Sequence, residues 1–170
     1  MNTLTGLEEL WLGKNKITHL KVFPYSPILL TLKGFENLSS LRLLALPSNR
    51  LTEISSTALS SLPALEELYL SHNDLTSLSG LESVSHLRTL DVSNNRIAHL
   101  THVNHLEQLE EFWASSNLLE SFQEIELQLG KLEGLHTVYF EHNPLQKKAG
   151  ATYRNKVRLC LKAIKQIDAT

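Results

Sequence analysis

Three of the eight histidines could form a metal site, because His99, His102 and His105 recur at intervals of three residues. A zinc site needs three or four such ligands converging at about 2 Å. Here each histidine is followed by an apolar residue, and both series have the same spacing of three. This pattern predicts that the histidines line one solvent-exposed side of the turns and do not cluster around an ion. We therefore predict no metal site.

The other reactive side chains do not form a catalytic set. Cys160 lies at apolar spacing with Val157 and Ile164, which predicts a buried thiol without a histidine partner. Neighbouring glutamates such as Glu66 and Glu67 would point to opposite sides of a strand and could not act as an acid–base pair. The chain also has no glycine-rich phosphate loop. We predict a protein that is not an enzyme and needs no cofactor.

The leucines reveal how the chain is organised. They number 36 of 170 residues, and the pattern L-x-x-L-x-L-x-x-N-x-L occurs six times, from Leu7–Ile17 to Leu135–Leu145. The intervals between its asparagines are 34, 24, 22, 22 and 26 residues, which is typical of leucine-rich repeats. We expect these side chains to form a stacked structural ladder. The six are Asn15, Asn49, Asn73, Asn95, Asn117 and Asn143.

The repeat predicts an α/β solenoid shaped like a horseshoe. Each L-x-L is a short strand that points its leucines inward, and successive parallel strands form the concave face. The rest of each repeat has apolar residues every third position, which favours 3₁₀ or irregular crossovers on the convex face. We assign residues 1–145 to six repeats. The long first interval predicts a 12-residue insertion near 22–33 (Val22–Lys33): a functional loop, a partner strand or, our preferred interpretation, translated non-coding sequence.

Residues 146–170 leave the repeat pattern. Apolar residues spaced by three and four from Tyr153 to Ile167 predict an amphipathic helix that caps the last repeat. This segment has 7 Lys and Arg against one acid, whereas residues 1–145 have 9 against 17. The basic charges are dispersed, which favours a solvated cap face over a nucleic-acid site or a nuclear-import signal. At the other end the chain starts in mid-repeat, and we interpret it as a fragment or a shortened gene product.

Composition excludes several classes of protein. The formal net charge of −2 argues against a chain-wide basic surface for nucleic acid, and one cysteine excludes an internal disulfide framework. No apolar run reaches the roughly 18–20 residues that a membrane helix needs. These features fit a single repeat domain without a membrane span.

The outward strand positions predict a protein-binding face. Four of the six residues between the strand leucines are aromatic, against 6% aromatic residues overall, and a glutamate stands two positions before three of these four. Trp and Tyr are enriched among interface hot spots, and such a face suits a basic, partly apolar protein surface. Aromatic packing along the sheet is the alternative interpretation. The predicted binding residues are Trp11, Glu67, Tyr69, Asp91, Glu111, Trp113 and Tyr139; Ala45 should contribute little.

These 22-residue units and the Tyr153-Arg154-x-x-Val157 cap resemble the sds-twenty-two class of leucine-rich repeats. The strings LEELWLGKNKIT (7–18), TVYFEHNPLQK (137–147) and IKQIDAT (164–170), with the 109–121 region, carry the resemblance. It covers nearly the whole chain except the insertion and corresponds to roughly the C-terminal half of a member. The resemblance implies a non-catalytic regulatory subunit in the nucleus, and in part the cytoplasm. It would bind the protein phosphatase 1 catalytic subunit by its concave face, through Trp11, Asp91, Glu111, Trp113 and Tyr139.

Two other functions remain open from the sequence. One is an adaptor of an RNA–protein particle, which would require the basic tail to dominate binding. The other is a truncated fragment without a competent binding surface, which would follow if absent repeats and the insertion disable the concave face.

Overall fold

The computed structural model describes residues 4–19 and 38–169. The predicted insertion at Val22–Lys33 lies outside these ranges. Each of the six repeats supplies one three-residue strand, and a seventh strand of two residues follows near the C-terminus. The strands are β1 (Glu9–Trp11), β2 (Leu43–Ala45), β3 (Glu67–Tyr69), β4 (Thr89–Asp91), β5 (Glu111–Trp113), β6 (Thr137–Tyr139) and β7 (Gln166–Ile167).

All seven strands form one parallel sheet in chain order, which confirms the predicted architecture. Equivalent positions of successive repeats lie side by side, so that Trp11 pairs with Ala45 and Trp113 with Tyr139. The central residue of each strand points inward, and from β2 onward it is buried. The alternation of the strand pattern therefore separates a leucine-rich core from one solvent-facing side of the sheet, which we call the concave face.

The repeat asparagines join neighbouring repeats. Asn95 accepts a hydrogen bond from the Leu75 N–H (3.0 Å) of the preceding repeat and donates to the carbonyls of Leu70 (3.0 Å) and Val92 (2.9 Å). Asn49, Asn73, Asn117 and Asn143 repeat this arrangement. Asn15 is exposed, and among the described residues it donates only to the carbonyls of Leu12 and Gly13 in its own repeat. Buried backbone groups at the bend are thus satisfied by amide side chains.

The residue before each ladder asparagine has a left-handed backbone, with φ between 54° and 60°. This conformation bends the chain as it leaves the strand. The six residues are Lys14, Ser48, His72, Asn94, Ser116 and His142.

The length of a repeat determines its crossover. The 24-residue interval holds the four-residue helix α1 (Ser56–Leu59), and the 26-residue interval holds the eight-residue helix α2 (Phe122–Leu129). Ser121 caps α2 by accepting a hydrogen bond from the Glu124 N–H (3.1 Å). The crossovers of the two 22-residue intervals contain only turns and bends between their strands. The prediction of irregular crossovers therefore holds for the short repeats alone. The longer repeats have extra residues, which form the helical turns α1 and α2.

After the last repeat the chain forms α3 (Pro144–Ala149), a 3₁₀ turn (Gly150–Thr152) and α4 (Tyr153–Cys160). Tyr153 and Val157 of α4 are buried, and α4 packs beside α2. The amphipathic helix predicted to reach Ile167 instead ends at Cys160. Beyond it the chain returns to the sheet edge, where Gln166 and Ile167 pair with Thr137 and Val138 as β7.

Candidate protein-binding face

The structure brings all seven predicted binding residues to the concave face. They occupy two neighbouring columns: one contains the aromatic side chains, and the other contains glutamates two residues earlier on the same strands. Because the strands are in register, each column runs straight across the sheet. The aromatic column reads Trp11, Ala45, Tyr69, Asp91, Trp113 and Tyr139, and the second reads Glu9, Leu43, Glu67, Thr89, Glu111 and Thr137.

The four aromatic rings of the first column form a continuous row, which we call the aromatic row. The ring centroids of Trp11 and Tyr69 are 6.3 Å apart with nearly parallel planes. Tyr69 and Trp113 are 6.0 Å apart edge to face, and Trp113 lies 5.5 Å from Tyr139. Such pairs stabilise one another by about 0.5–1.5 kcal/mol beyond the area they bury. The rings are therefore held in place before any partner arrives.

Small residues make this row possible. Ala45 stands between Trp11 and Tyr69, and its side chain is fully buried, so the two rings meet above it. Asp91 stands between Tyr69 and Trp113 and is only 8% exposed. Its Oδ1 accepts a hydrogen bond from the Ser93 N–H (2.9 Å). Ala45 thus contributes no surface, and Asp91 contributes much less than the other predicted binding residues.

The glutamate column orients the rings. Glu9 accepts a hydrogen bond from the Trp11 indole (3.1 Å) and Glu111 from the Trp113 indole (3.0 Å). Glu67 accepts one from the Tyr69 hydroxyl (2.7 Å). Burial raises the pKa of Tyr69, and its hydrogen bond to Glu67 raises the pKa further. This hydroxyl therefore remains a donor throughout the physiological range.

One polar residue of this face was missing from the sequence prediction. Gln166 of β7 donates from its Nε2 to the Tyr139 hydroxyl (2.7 Å). The seventh strand therefore adds a polar side chain beside the last ring of the aromatic row. The signal was present in the sequence, because Ile164-x-x-Ile167 repeats the first half of the strand pattern. The strand itself ends at Ile167, and Asp168 stands at the next outward position, where four of the six repeats have an aromatic residue.

The concave face is acidic, and no Lys or Arg occupies an outward position of strands β1–β7. The nearest arginines stand one residue before β2 and β4, at the rim. Arg42 binds Glu66 through two hydrogen bonds (2.8 and 3.2 Å), and Arg88 binds Glu110. The hydrogen bond from Arg42 lowers the pKa of Glu66. These two arginines are thus occupied by neighbouring carboxylates and leave the acidic character of the outward strand positions intact.

The histidine stripe does not converge. His99 contacts Glu124 (3.1 Å), His102 contacts the Thr101 hydroxyl (2.8 Å), and His105 contacts the Leu81 carbonyl (3.0 Å). Within residues 4–19 and 38–169 no three His, Cys, Asp or Glu side chains are grouped so that they could hold a metal ion.

Cys160 is half-buried, and its thiol donates to the Phe122 carbonyl (3.4 Å). Burial raises the pKa of this thiol, which disfavours the reactive thiolate. Across the same described part of the chain, no helix has the length and apolarity to cross a membrane.

Comparison with protein families identifies the repeats. A family model described as "Leucine rich repeat" matches residues 30–75, and one described as "Leucine Rich repeats (2 copies)" matches residues 63–105. A leucine-rich-repeat protein of Leptospira interrogans has a similar structure, with a TM-score of 0.72 and 27% sequence identity. The similarity covers 96% of this chain and 37% of that one. These matches confirm the leucine-rich-repeat solenoid.

Two named relatives are similar to this chain over shorter segments. "Protein phosphatase 1 regulatory subunit SDS22" of Schizosaccharomyces pombe is 61% identical over 71 residues, covering 42% of this chain and 21% of that protein. "Protein phosphatase 1 regulatory subunit 7" of Xenopus tropicalis is 49% identical over 53 residues, covering 31% and 14%. The chain therefore matches about a fifth or less of the length of these relatives.

Proposed function

We propose that this chain, a leucine-rich-repeat protein of the SDS22 class, is a non-catalytic regulatory subunit that binds the catalytic subunit of protein phosphatase 1. Two named relatives are regulatory subunits of that phosphatase, which supports the regulatory role. We assign binding to the concave face because of the aromatic row, in which four ring side chains form a chain of contacts on the solvent side of the sheet.

The chemistry of the concave face suits a partner surface that is basic and partly apolar. Trp and Tyr supply large contact areas with few rotatable bonds, and they dominate the energetics of many interfaces. The glutamates beside them carry negative charge and already orient the rings, so little side-chain freedom remains to be lost on binding. Binding would therefore act by stoichiometric occupation of the phosphatase, without turnover.

Packing along the sheet is the alternative explanation of the aromatic row, and the ring contacts are consistent with it. Two features favour binding. The Trp11 side chain is 64% exposed, and Tyr69, Trp113 and Tyr139 are only partly buried. A row that served packing alone could use smaller β-branched residues with less apolar surface in water.

The adaptor of an RNA–protein particle receives no support from the concave face. Phosphates require Lys and Arg, and the outward strand positions of β1–β7 have none. Two of the tail's basic residues are also engaged within the protein: Lys148 binds Glu120 (2.5 Å), and Arg154 donates to the Ile167 carbonyl (2.7 Å).

We also propose that the protein acts in the nucleus. This proposal rests on the resemblance alone, and imaging of a tagged chain in cells tests it.

Titration of the purified 170-residue chain with the phosphatase catalytic subunit tests the proposed function. We expect saturable binding with a stoichiometry of one to one by calorimetry. Absence of binding at micromolar concentrations would overturn the proposal for this chain and favour a fragment without a competent surface. Binding to RNA instead, with affinity falling steeply as salt increases, would favour the adaptor.

A further inference from the structure

Three of the four rings in the aromatic row already use their hydrogen-bond donor within the concave face. Each of them has a glutamate two positions earlier on its own strand, and an ionised carboxylate can only accept hydrogen bonds. The ring is therefore the donor in every pair, and it has no polar proton left for a partner. The pairs are Trp11 with Glu9 (3.1 Å), Tyr69 with Glu67 (2.7 Å) and Trp113 with Glu111 (3.0 Å).

Tyr139 is the exception in this row. The residue two positions earlier is Thr137, and its hydroxyl contacts the neighbouring His136 ring (3.0 Å). The Tyr139 hydroxyl oxygen instead accepts a hydrogen bond from the Gln166 Nε2 on β7 (2.7 Å), and this bond lies at the exposed surface. Among the described residues, no group accepts the Tyr139 hydroxyl proton. That proton is therefore available to a partner.

A second contact determines the orientation of the Gln166 amide. Its Nε2 also donates to the backbone carbonyl of Asp168 (3.3 Å). Two carbonyl oxygens would repel each other there, so the amide must direct its nitrogen, and not its oxygen, toward Asp168. Asp168 is itself fixed, because it is 2% exposed and its N–H donates to the Val138 carbonyl (2.8 Å). The same nitrogen then faces Tyr139, which defines Gln166 as the donor of the bond between them.

The Tyr139 ring is held from both sides. On one side it packs against Trp113 of β5, with ring centroids 5.5 Å apart, and on the other its hydroxyl oxygen is bound by Gln166 of β7. Only rotation about the bond between the ring and the hydroxyl oxygen remains. The amide protons of Gln166 occupy the β7 side of that oxygen, so the hydroxyl proton points away from β7.

The chemistry of the neighbouring columns also changes at this end of the sheet. The glutamate column has an acid on β5 but Thr137 on β6 and Gln166 on β7. One position before these strands, Lys165 lies beside His136, and the Lys165 N–H donates to the His136 carbonyl (2.9 Å). Lys165 is exposed and forms no ion pair within residues 4–19 and 38–169. Donors and a cation therefore predominate on the β7 side of Tyr139, which suits an oxygen acceptor.

We propose that Gln166 is a positioning residue that presents the Tyr139 hydroxyl as a hydrogen-bond donor to the bound partner. The partner then places an acceptor oxygen at this point, either a backbone carbonyl or a carboxylate. The other three rings offer it apolar surface, and the Tyr69 hydroxyl can act toward it only as an acceptor. This inference rests on the proposed function, because the partner is the protein that the concave face binds.

Two tyrosine variants test the donor in calorimetric titrations with the phosphatase catalytic subunit. Tyr139→Phe keeps the ring and removes only the hydroxyl. Its Kd should rise about threefold to tenfold if the acceptor is a carbonyl, and more than about tenfold if it is a carboxylate. Tyr69→Phe is the matched control, because it removes the same atom from a hydroxyl that Glu67 already engages. Its Kd should change less than about threefold.

Gln166→Glu tests the positioning role. The new carboxylate would accept the Tyr139 proton, as Glu67 accepts that of Tyr69, and the Kd should rise about as much as for Tyr139→Phe. The double variant Tyr139→Phe/Gln166→Glu separates this effect from the added charge, because it has no hydroxyl to turn. Adding Gln166→Glu to Tyr139→Phe should therefore change the Kd less than about threefold. A purely structural role of Gln166 would give the same loss with and without the hydroxyl.

The outcomes distinguish this inference from the proposed function. Binding by the parent with an unchanged Kd for Tyr139→Phe, or with an equal loss for Tyr69→Phe, would overturn the donor and leave the proposed function in place. Additive losses for Tyr139→Phe and Gln166→Glu, in variants whose melting temperatures show that they are folded, would overturn the positioning role. Absence of binding by the parent would overturn the proposed function, and this inference with it.

Discussion

The carboxylate of Asp168 accepts a hydrogen bond from the buried Tyr153 hydroxyl (3.1 Å), and this pair joins helix α4 to the end of the sheet. The same Oδ1 atom accepts from the backbone N–H groups of Phe140 (2.9 Å) and Glu141 (3.1 Å). Asp168 is 2% exposed, with Arg154 at 3.9 Å as its charge partner. One side chain thus terminates the sheet where a further repeat would otherwise supply carbonyls.

Removal of this carboxylate should destabilise the whole C-terminal end. Asp168→Ala leaves the Phe140 N–H and the Tyr153 hydroxyl buried without an acceptor, and each such group costs about 1–3 kcal/mol. We expect a loss of about 3 kcal/mol or more in the free energy of unfolding, measured by urea denaturation. Tyr153→Phe, which removes one donor and keeps the carboxylate, should cost about 1 kcal/mol. Equal losses for both variants would contradict the role given to Asp168.

The asparagine ladder predicts a contrast between an internal and an end member. Asn95→Ala breaks three hydrogen bonds that link buried backbone groups of two repeats and should cost about 3 kcal/mol. Asn15→Ala removes bonds within one exposed turn and should cost less than about 1 kcal/mol. Thermal unfolding of the two variants measures the difference in stability. Similar melting temperatures would show that the hydrogen bonds between repeats contribute little to the stability of the fold.

Alkaline pH should destabilise the fold through Tyr153. Burial raises the pKa of its hydroxyl, and the neighbouring Asp168 carboxylate raises the pKa further. An unfolded tyrosine ionises near pH 10, so above that value the unfolded state binds fewer protons than the folded state, and stability falls as pH rises. The slope from one such group approaches about 1.4 kcal/mol per pH unit.

Denaturation midpoints of the parent and of Tyr153→Phe between pH 8 and pH 11 measure this effect. The parent should lose stability above about pH 10, and the variant should lose less over the same interval. Parallel curves for the two proteins would show that Tyr153 ionises in the folded state as easily as in the unfolded chain.

The sequence predicts the repeating part of this molecule well because each repeat imposes the same local rule. The L-x-L alternation places side chains on one side of the sheet or the other, and the asparagine follows at a fixed distance. All seven candidate residues, from Trp11 to Tyr139, therefore reach the predicted face. Register between strands follows from the equal phase of the copies, so a local pattern suffices to define the columns.

What the sequence did not predict depends on contacts between distant residues. Gln166 and Ile167 pair with the free edge of β6; Ile164-x-x-Ile167 repeats only the first half of the strand pattern, and its spacing also fits the helix that the sequence predicts there. Helix α2 appears because a 26-residue interval has room for it. The small exposure of Asp91 results from the rings of Tyr69 and Trp113 on the strands beside it, which no single repeat reveals.

Trp113 offers the most direct test of the proposed binding face, because it contacts both Tyr69 and Tyr139 in the aromatic row and is held by Glu111. Trp113→Ala should weaken binding to the phosphatase catalytic subunit by about 2 kcal/mol or more, roughly a thirtyfold rise in Kd. Leu127→Ala is the matched control, because Leu127 is 69% exposed on helix α2, outside the concave face. Calorimetric titration of parent, variant and control, with melting temperatures confirming that each is folded, makes the comparison. We predict loss of affinity for Trp113→Ala alone; unchanged affinity for that variant, or an equal loss for Leu127→Ala, would contradict binding through the aromatic row.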